Sequence, residues 1–120
     1  MSSPTLRASD LAQFTGSECW YRHPLYPSIT YTDGAQYVAE AGGAYWLLDA
    51  IVSHQHHTRV RSEPFQVWTL KVAQDRSAVL TCEDGDRGLI ARQAIAFTDF
   101  PLPEVTLWLQ NEVIFLPSEY

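Results

Sequence analysis

The stretch Phe97–Tyr120, FTDFPLPEVTLWLQNEVIFLPSEY, decides the fold. Val105, Leu107 and Leu109 alternate with Thr106 and Trp108, the two-residue period of a strand with one face on a core. Gln110-Asn111 then reads as a tight turn and Val113 to Leu116 as the returning strand, so the stretch predicts a hairpin. Pro101 and Pro103 stiffen the connection leading into it. A last strand placed this close to the end of the sequence is expected to be buried and to make residues 1–120 one compact domain.

Working back from the hairpin, the strand character persists. Phe65 to Val72 puts Trp68, Leu70 and Val72 on one face and Phe65 and Val67 on the other. Asp75-Arg76 is a tight turn, and Ala78, Leu80 and Cys82 continue the alternation. Glu83 to Gly88 is a turn cluster, and Leu89 to Phe97 is the next strand, carrying Ile95 and Phe97.

Further back the period changes. From Ala35 to His54, Val38, Ala41, Tyr45, Leu48 and Val52 recur at helical spacing, with Asp33 as the expected N-cap. Gly42-Gly43 interrupts this run at about 1 kcal/mol per glycine relative to Ala, so a bend or break is expected there. Ile29 to Thr32 is a short strand, and Ser17 to Pro27 an irregular loop packed by its own rings. Ser9 or Asp10 caps a short helix through Leu11, Ala12 and Phe14, ended by Gly16. The sum is an α+β fold, with N-terminal helices packed on an antiparallel sheet of about five strands.

Composition bounds the function. A chain of 120 residues that is 46% hydrophobic and 18% charged is an ordinary globular protein, large enough for a core without metal or disulfide. Its formal charge of −6 opposes binding to phosphate backbones and to anionic membranes. The same charge suits a basic partner, with Glu83, Asp84 and Asp86 as the one acidic cluster. Cys19 and Cys82 fit small buried hydrophobes better than a redox pair. With no leader or membrane-spanning run legible, a reduced, cytoplasmic protein is expected.

Candidate chemistry is sparse. Ser53-His54-Gln55-His56-His57 places His54 and His57 three residues apart, and with Asp49 they form the strongest metal candidate. Zinc signatures need further spaced donors, whereas histidines near a helix C-terminus also answer its dipole. Glu83-Asp84-Gly85-Asp86 lacks EF-hand spacing and reads as an exposed hairpin turn. Cys19 with His23 would make a thiol–base pair only if the loop folded one onto the other. No glycine-rich phosphate loop occurs.

The aromatic segment carries more weight. Trp20, Tyr21, His23 and Tyr26, with Arg22 among them, are residue types that anchor protein interfaces or else cover the end of a sheet. Trp108, out of phase with Val105, Leu107 and Leu109, is expected to face away from the core and offers a second contact.

With CWYRHPL at 19–25, TDGAQYVAEAGGAYWLLDAI at 32–51, FQVWTLKV at 65–72, TDFPL at 98–102 and LPSEY at 116–120, the chain resembles a family of small proteins of unknown function encoded on bacterial plasmids, phages and integrated elements. The resemblance spans nearly the whole chain and carries no catalytic residue with it. It implies an accessory role: binding and blocking a host protein, such as a CRISPR or other defence-complex subunit that itself handles nucleic acid. The expectation is therefore a non-enzymatic, anti-CRISPR-like protein-binding module without cofactor. It would bind through Trp20, Tyr21, Arg22, His23, Tyr26, Glu83, Asp84, Asp86 and Trp108, with no direct contact to nucleic acid or membrane. The alternative is a metal-dependent hydrolase using His54 and His57. Self-association through an exposed hairpin edge, giving a homo-oligomer, is a third expectation.

Overall fold

The computed structural model describes residues 20–86 and 88–119, so the helix expected around residues 10–16, Cys19 and Arg87 lie outside the described residues. In chain order the elements are β1 (Trp20–Arg22), β2 (Thr30–Thr32), α1 (Asp33–Ala41), α2 (Tyr45–His54), α3 (Thr58–Arg61), β3 (Phe65–Val72), β4 (Ala78–Glu83), β5 (Leu89–Ile95), β6 (Glu104–Gln110) and β7 (Val113–Phe115), then a 3-10 turn at Pro117–Glu119.

The α+β class stands, but the sheet is larger than expected and is not purely antiparallel. Seven strands lie in the order β1-β2-β7-β6-β3-β4-β5. All neighbours are antiparallel except β2 and β7, which run parallel with Thr30 opposite Val113 and Tyr31 opposite Ile114. The two surplus strands are β1 and β2, which lie together on one side of this join and precede the described helices. Part of the expected irregular loop is β1, whose Trp20, Tyr21 and Arg22 pair with Thr32, Tyr31 and Thr30.

The hairpin read from the sequence is present, shifted by one residue. Gln110 pairs with Val113, leaving Asn111-Glu112 as the two-residue turn. Both turn residues have positive φ, 54° and 62°. That handedness matches the twist of the flanking strands, and Asn tolerates it well.

The helical run breaks at the glycines. Gly43 takes φ +62°, a left-handed conformation that ends α1 and resets the helical phase before α2. The expected single stripe is therefore split. Val38, Leu48 and Val52 are buried, but Tyr45 turns outward, and Ala44, Leu47 and Ile51 take its share of the core. The N-cap is Thr32 and not Asp33: the Thr32 hydroxyl accepts the Ala35 N–H at 3.2 Å.

The helices cover one face of the sheet. Trp68 and Leu70 of β3, Leu80 and Cys82 of β4, Leu107 and Leu109 of β6 and Ile114 of β7 join Val38, Leu47, Leu48 and Ile51 in one apolar cluster. Each large aliphatic side chain buried there stabilises the fold by about 1.5–3 kcal/mol before entropy is counted. A polar network crosses this layer. Gln55 and Gln66 exchange amide hydrogen bonds at 2.8 and 3.0 Å, and Gln66 Oε1 also accepts the Trp68 indole N–H at 2.9 Å. No buried side-chain polar atom among the described residues is left without a partner.

Glu119 closes the structure at the start of α1. Its carboxylate accepts the Thr32 hydroxyl at 2.7 Å and the backbone N–H groups of Gly34 at 3.2 Å and Leu116 at 2.8 Å. A negative group suits the positive end of a helix dipole. Any Cβ on Gly34 would meet this carboxylate, so the glycine is what admits it.

Candidate functional site

β1 lies at one edge of the sheet. Its residues stay at the surface: Trp20 is 62% exposed, Tyr21 39%, and Leu25 in the following turn 81%. Tyr21 stacks on Tyr31 of β2 with ring centroids 5.6 Å apart, a cross-strand pair set by the register.

The turn after β1 is fixed by His23. His23 is buried, and its Nε2 lies 2.8 Å from Asp49 Oδ1 on α2. Its Nδ1 accepts the Leu25 N–H at 3.1 Å. With Nδ1 accepting, the proton sits on Nε2 and is donated to Asp49. Arg22 donates to the Pro27 carbonyl at 2.7 Å, and the Ile29 N–H to the Tyr26 carbonyl at 2.9 Å. The backbone that carries the exposed Trp-Tyr-Arg edge and the exposed Leu25 is thus held in a set conformation. Preorganised apolar side chains of this kind bind at low entropic cost. Tyr26 points inward, packs against the core and meets the His56 ring edge-on at 5.5 Å.

Burial first, then the Tyr21 and Asp49 charges, push the Tyr31 phenol above its ordinary value. Tyr45 is raised too, by burial and by its hydroxyl's bond to Glu40 at 2.9 Å.

The structure does not bring the expected metal candidates together. Asp49 is engaged by His23, while His54 Nε2 lies 2.8 Å from Gln93 Oε1 and its ring packs on Trp68. His54 and His57 ring centroids are 6.0 Å apart. Among the described residues no three His, Cys, Asp or Glu side chains gather as metal ligands. The helix ends at His54, before His57 can share its face. The thiol–base pairing of Cys19 with His23 involves a residue outside the described ones, and both His23 nitrogens are already bonded.

The remaining expected contacts lie elsewhere. Asp84 is a turn-former: its Oδ1 accepts the N–H groups of Asp86 and Gly88, both at 2.8 Å. Asp86 is exposed and Glu83 half-buried. This β4–β5 turn is at the opposite edge from β1, so the sheet does not bring the acidic cluster and the aromatic segment together. Trp108 does face away from the helices, yet it is half-buried and meets Phe65 and Phe115 edge-on at 5.1 and 6.0 Å. Sequence reasoning missed the His23–Asp49 bond altogether. Its faint signal was a His followed by Pro in a ring-rich segment, with a lone Asp amid the apolar α2.

A cleft of about 270 Å³ opens beside Tyr26, between Gln55, Gln66, Leu109 and Arg61. Its buried amides are spent on one another, which leaves them little to offer a ligand. No helix among the described residues is long and apolar enough to cross a membrane.

Neither a curated protein nor a solved structure matches the chain. A family model does match, over residues 5–120, almost the full sequence that carries the β1 edge, the His23–Asp49 clamp and the Glu119 closure. The chain belongs to DUF6876, a family of unknown function.

Proposed function

We propose that this chain is a non-enzymatic protein-binding module, an accessory protein of a mobile genetic element that blocks a host defence component in an anti-CRISPR-like manner. The observation that carries the binding role is the exposed β1 edge, Trp20-Tyr21-Arg22 with Leu25, held rigid by the His23–Asp49 bond. Large rings on a backbone already held in place supply contact area at a reduced ordering cost. The charge of −6 favours a basic target, the kind of surface a nucleic-acid-handling protein presents. The mobile-element setting rests on the sequence resemblance alone, through motifs such as YWLLDAI and LPSEY.

The test is affinity capture from a bacterial host lysate with the wild-type chain and with Trp20→Asp and Leu25→Asp. A stoichiometric partner held by the wild type and lost from both variants supports the reading. Equal capture by all three, or none by any, overturns it.

A further inference from the structure

The far edge of the sheet is a second surface, independent of β1. β5 pairs with β4 on one side only. Exposed edges are commonly blunted by Lys, Pro or short length. β5 has seven residues, LIARQAI, with neither Lys nor Pro and with Arg92 as its one charge; its pairing with β4 bulges at the Leu89 end, opposite Cys82 and Glu83, and is regular from Ala91 to Ile95. A shallow groove of about 510 Å³ runs beside it, between Gly43 and Trp46 of the helical layer and Gln93, Ile95 and Phe97. Phe97 lines that groove and is 69% exposed, and Leu89, at the start of β5, is 53% exposed.

Within β5, residues 91–95 read ARQAI, close to self-complementary about Gln93. If a second copy lay antiparallel with a two-fold axis at Gln93, Ala91 would face Ile95 of the second copy. Arg92 would face its Ala94, so the pairing runs over Ala91 to Ile95, all within β5. Small meets large along the strand, and Arg92 never faces its own image. The Gln93 side chain is already oriented by His54 at 2.8 Å. We propose that two copies of this chain associate through β5 in this register and extend the sheet across the axis, with both β1 edges left outermost. Added strands gain main-chain hydrogen bonds, and paired side chains set the register. An interface this narrow belongs to the weak, transient class.

The experiment is sedimentation of the full chain from about 1 to about 500 µM, a range suited to weak dimers. Three variants accompany it: Ala94→Glu, Ala94→Lys and the exchange Arg92→Glu with Ala94→Lys. Far-UV circular dichroism verifies the fold of each. In the proposed register Ala94→Glu gains an attraction to Arg92 of the other copy twice over, and Ala94→Lys a repulsion. Their dimer dissociation constants should differ by roughly tenfold or more, with the Glu form tighter. The exchange variant should recover at least wild-type association. Net charge alone predicts the reverse order for the single variants, because the chain is already at −6. A chain monomeric throughout, the reverse order, or a dimer indifferent to residue 94 overturns the proposal.

Discussion

Glu119 Oε2 accepts the backbone N–H of Gly34 at 3.2 Å, across 85 residues of sequence. This bond, with those to Thr32 and Leu116, ties the 3-10 turn to the start of α1. The Thr32-Asp33-Gly34 and Leu116 to Glu119 segments are therefore two halves of one joint.

Gly34→Ala should displace that carboxylate, since the new methyl would occupy its position. A loss of about 1–3 kcal/mol is expected, the range for charge-assisted bonds and helix caps. Glu119→Ala should cost a similar amount. The double variant should cost no more than either alone, because both remove the same joint. Urea denaturation of the four proteins measures this, and additive losses would contradict it.

Asp49→Ala should loosen the turn holding Leu25 while leaving the sheet intact. The His23 Nε2–H loses its acceptor at a part-buried bond whose Asp49 side is open to water, a cost of about 0.5–1.5 kcal/mol. Limited proteolysis with chymotrypsin should show faster cleavage after Leu25 at unchanged secondary structure, the Tyr26 bond being shielded by Pro27. Partner capture should weaken in step, as a floppy edge forfeits its preorganisation.

Gln66→Leu should be more damaging than a typical core exchange. It strips the Trp68 indole N–H of its acceptor and the buried Gln55 amide of its mate. About 2–4 kcal/mol is expected from the orphaned groups together. Chemical denaturation gives the value, and a loss under about 1 kcal/mol would mean that water enters from the adjacent cleft to replace the bonds.

Burial, with the Glu63, Glu83 and Asp84 charges adding to it, pushes the Cys82 thiol up to about 12 from its ordinary 9.0. The folded state thus keeps a proton that the unfolded chain gives up. Stability from this group is complete below pH 9.0 and declines as pH rises through about 12. Tyr31 and Tyr45, raised in the same sense, contribute to the same slope. Cys82→Ala should flatten the alkaline fall without abolishing it. At pH 8 a thiol reagent should modify Cys82 only as fast as the chain unfolds, readable by peptide mass mapping.

Much of the sheet is legible in the sequence because its two faces differ. In β3 and β6 buried and half-buried residues alternate strictly over most of their length, so the period is plain in the letters. β1 is not legible, because three consecutive surface residues have no alternation to show. The parallel join of β2 to β7 leaves no local trace, since its partners are far apart in the chain. Tyr45 departs from the helical stripe because the positive φ of Gly43 rotates α2 relative to α1. At the candidate site the rings are evident from the sequence but not their exposure, and the His23–Asp49 bond depends on how α2 lies beside β1. The expected metal ligands have the right types but the wrong neighbours: Asp49 and His54 each hold a different partner.

That parallel join also has a consequence during synthesis. Tyr31 leaves the ribosome roughly 80 residues before Ile114, a wait of about 4–16 s at about 5–20 residues per second. Until then the nascent chain carries Trp20 and Tyr31 on a two-stranded ribbon too small to persist alone. Rapid translation, or a chaperone that holds the emerging chain, should raise the yield of native protein, and stalling late in the message should send it toward aggregates.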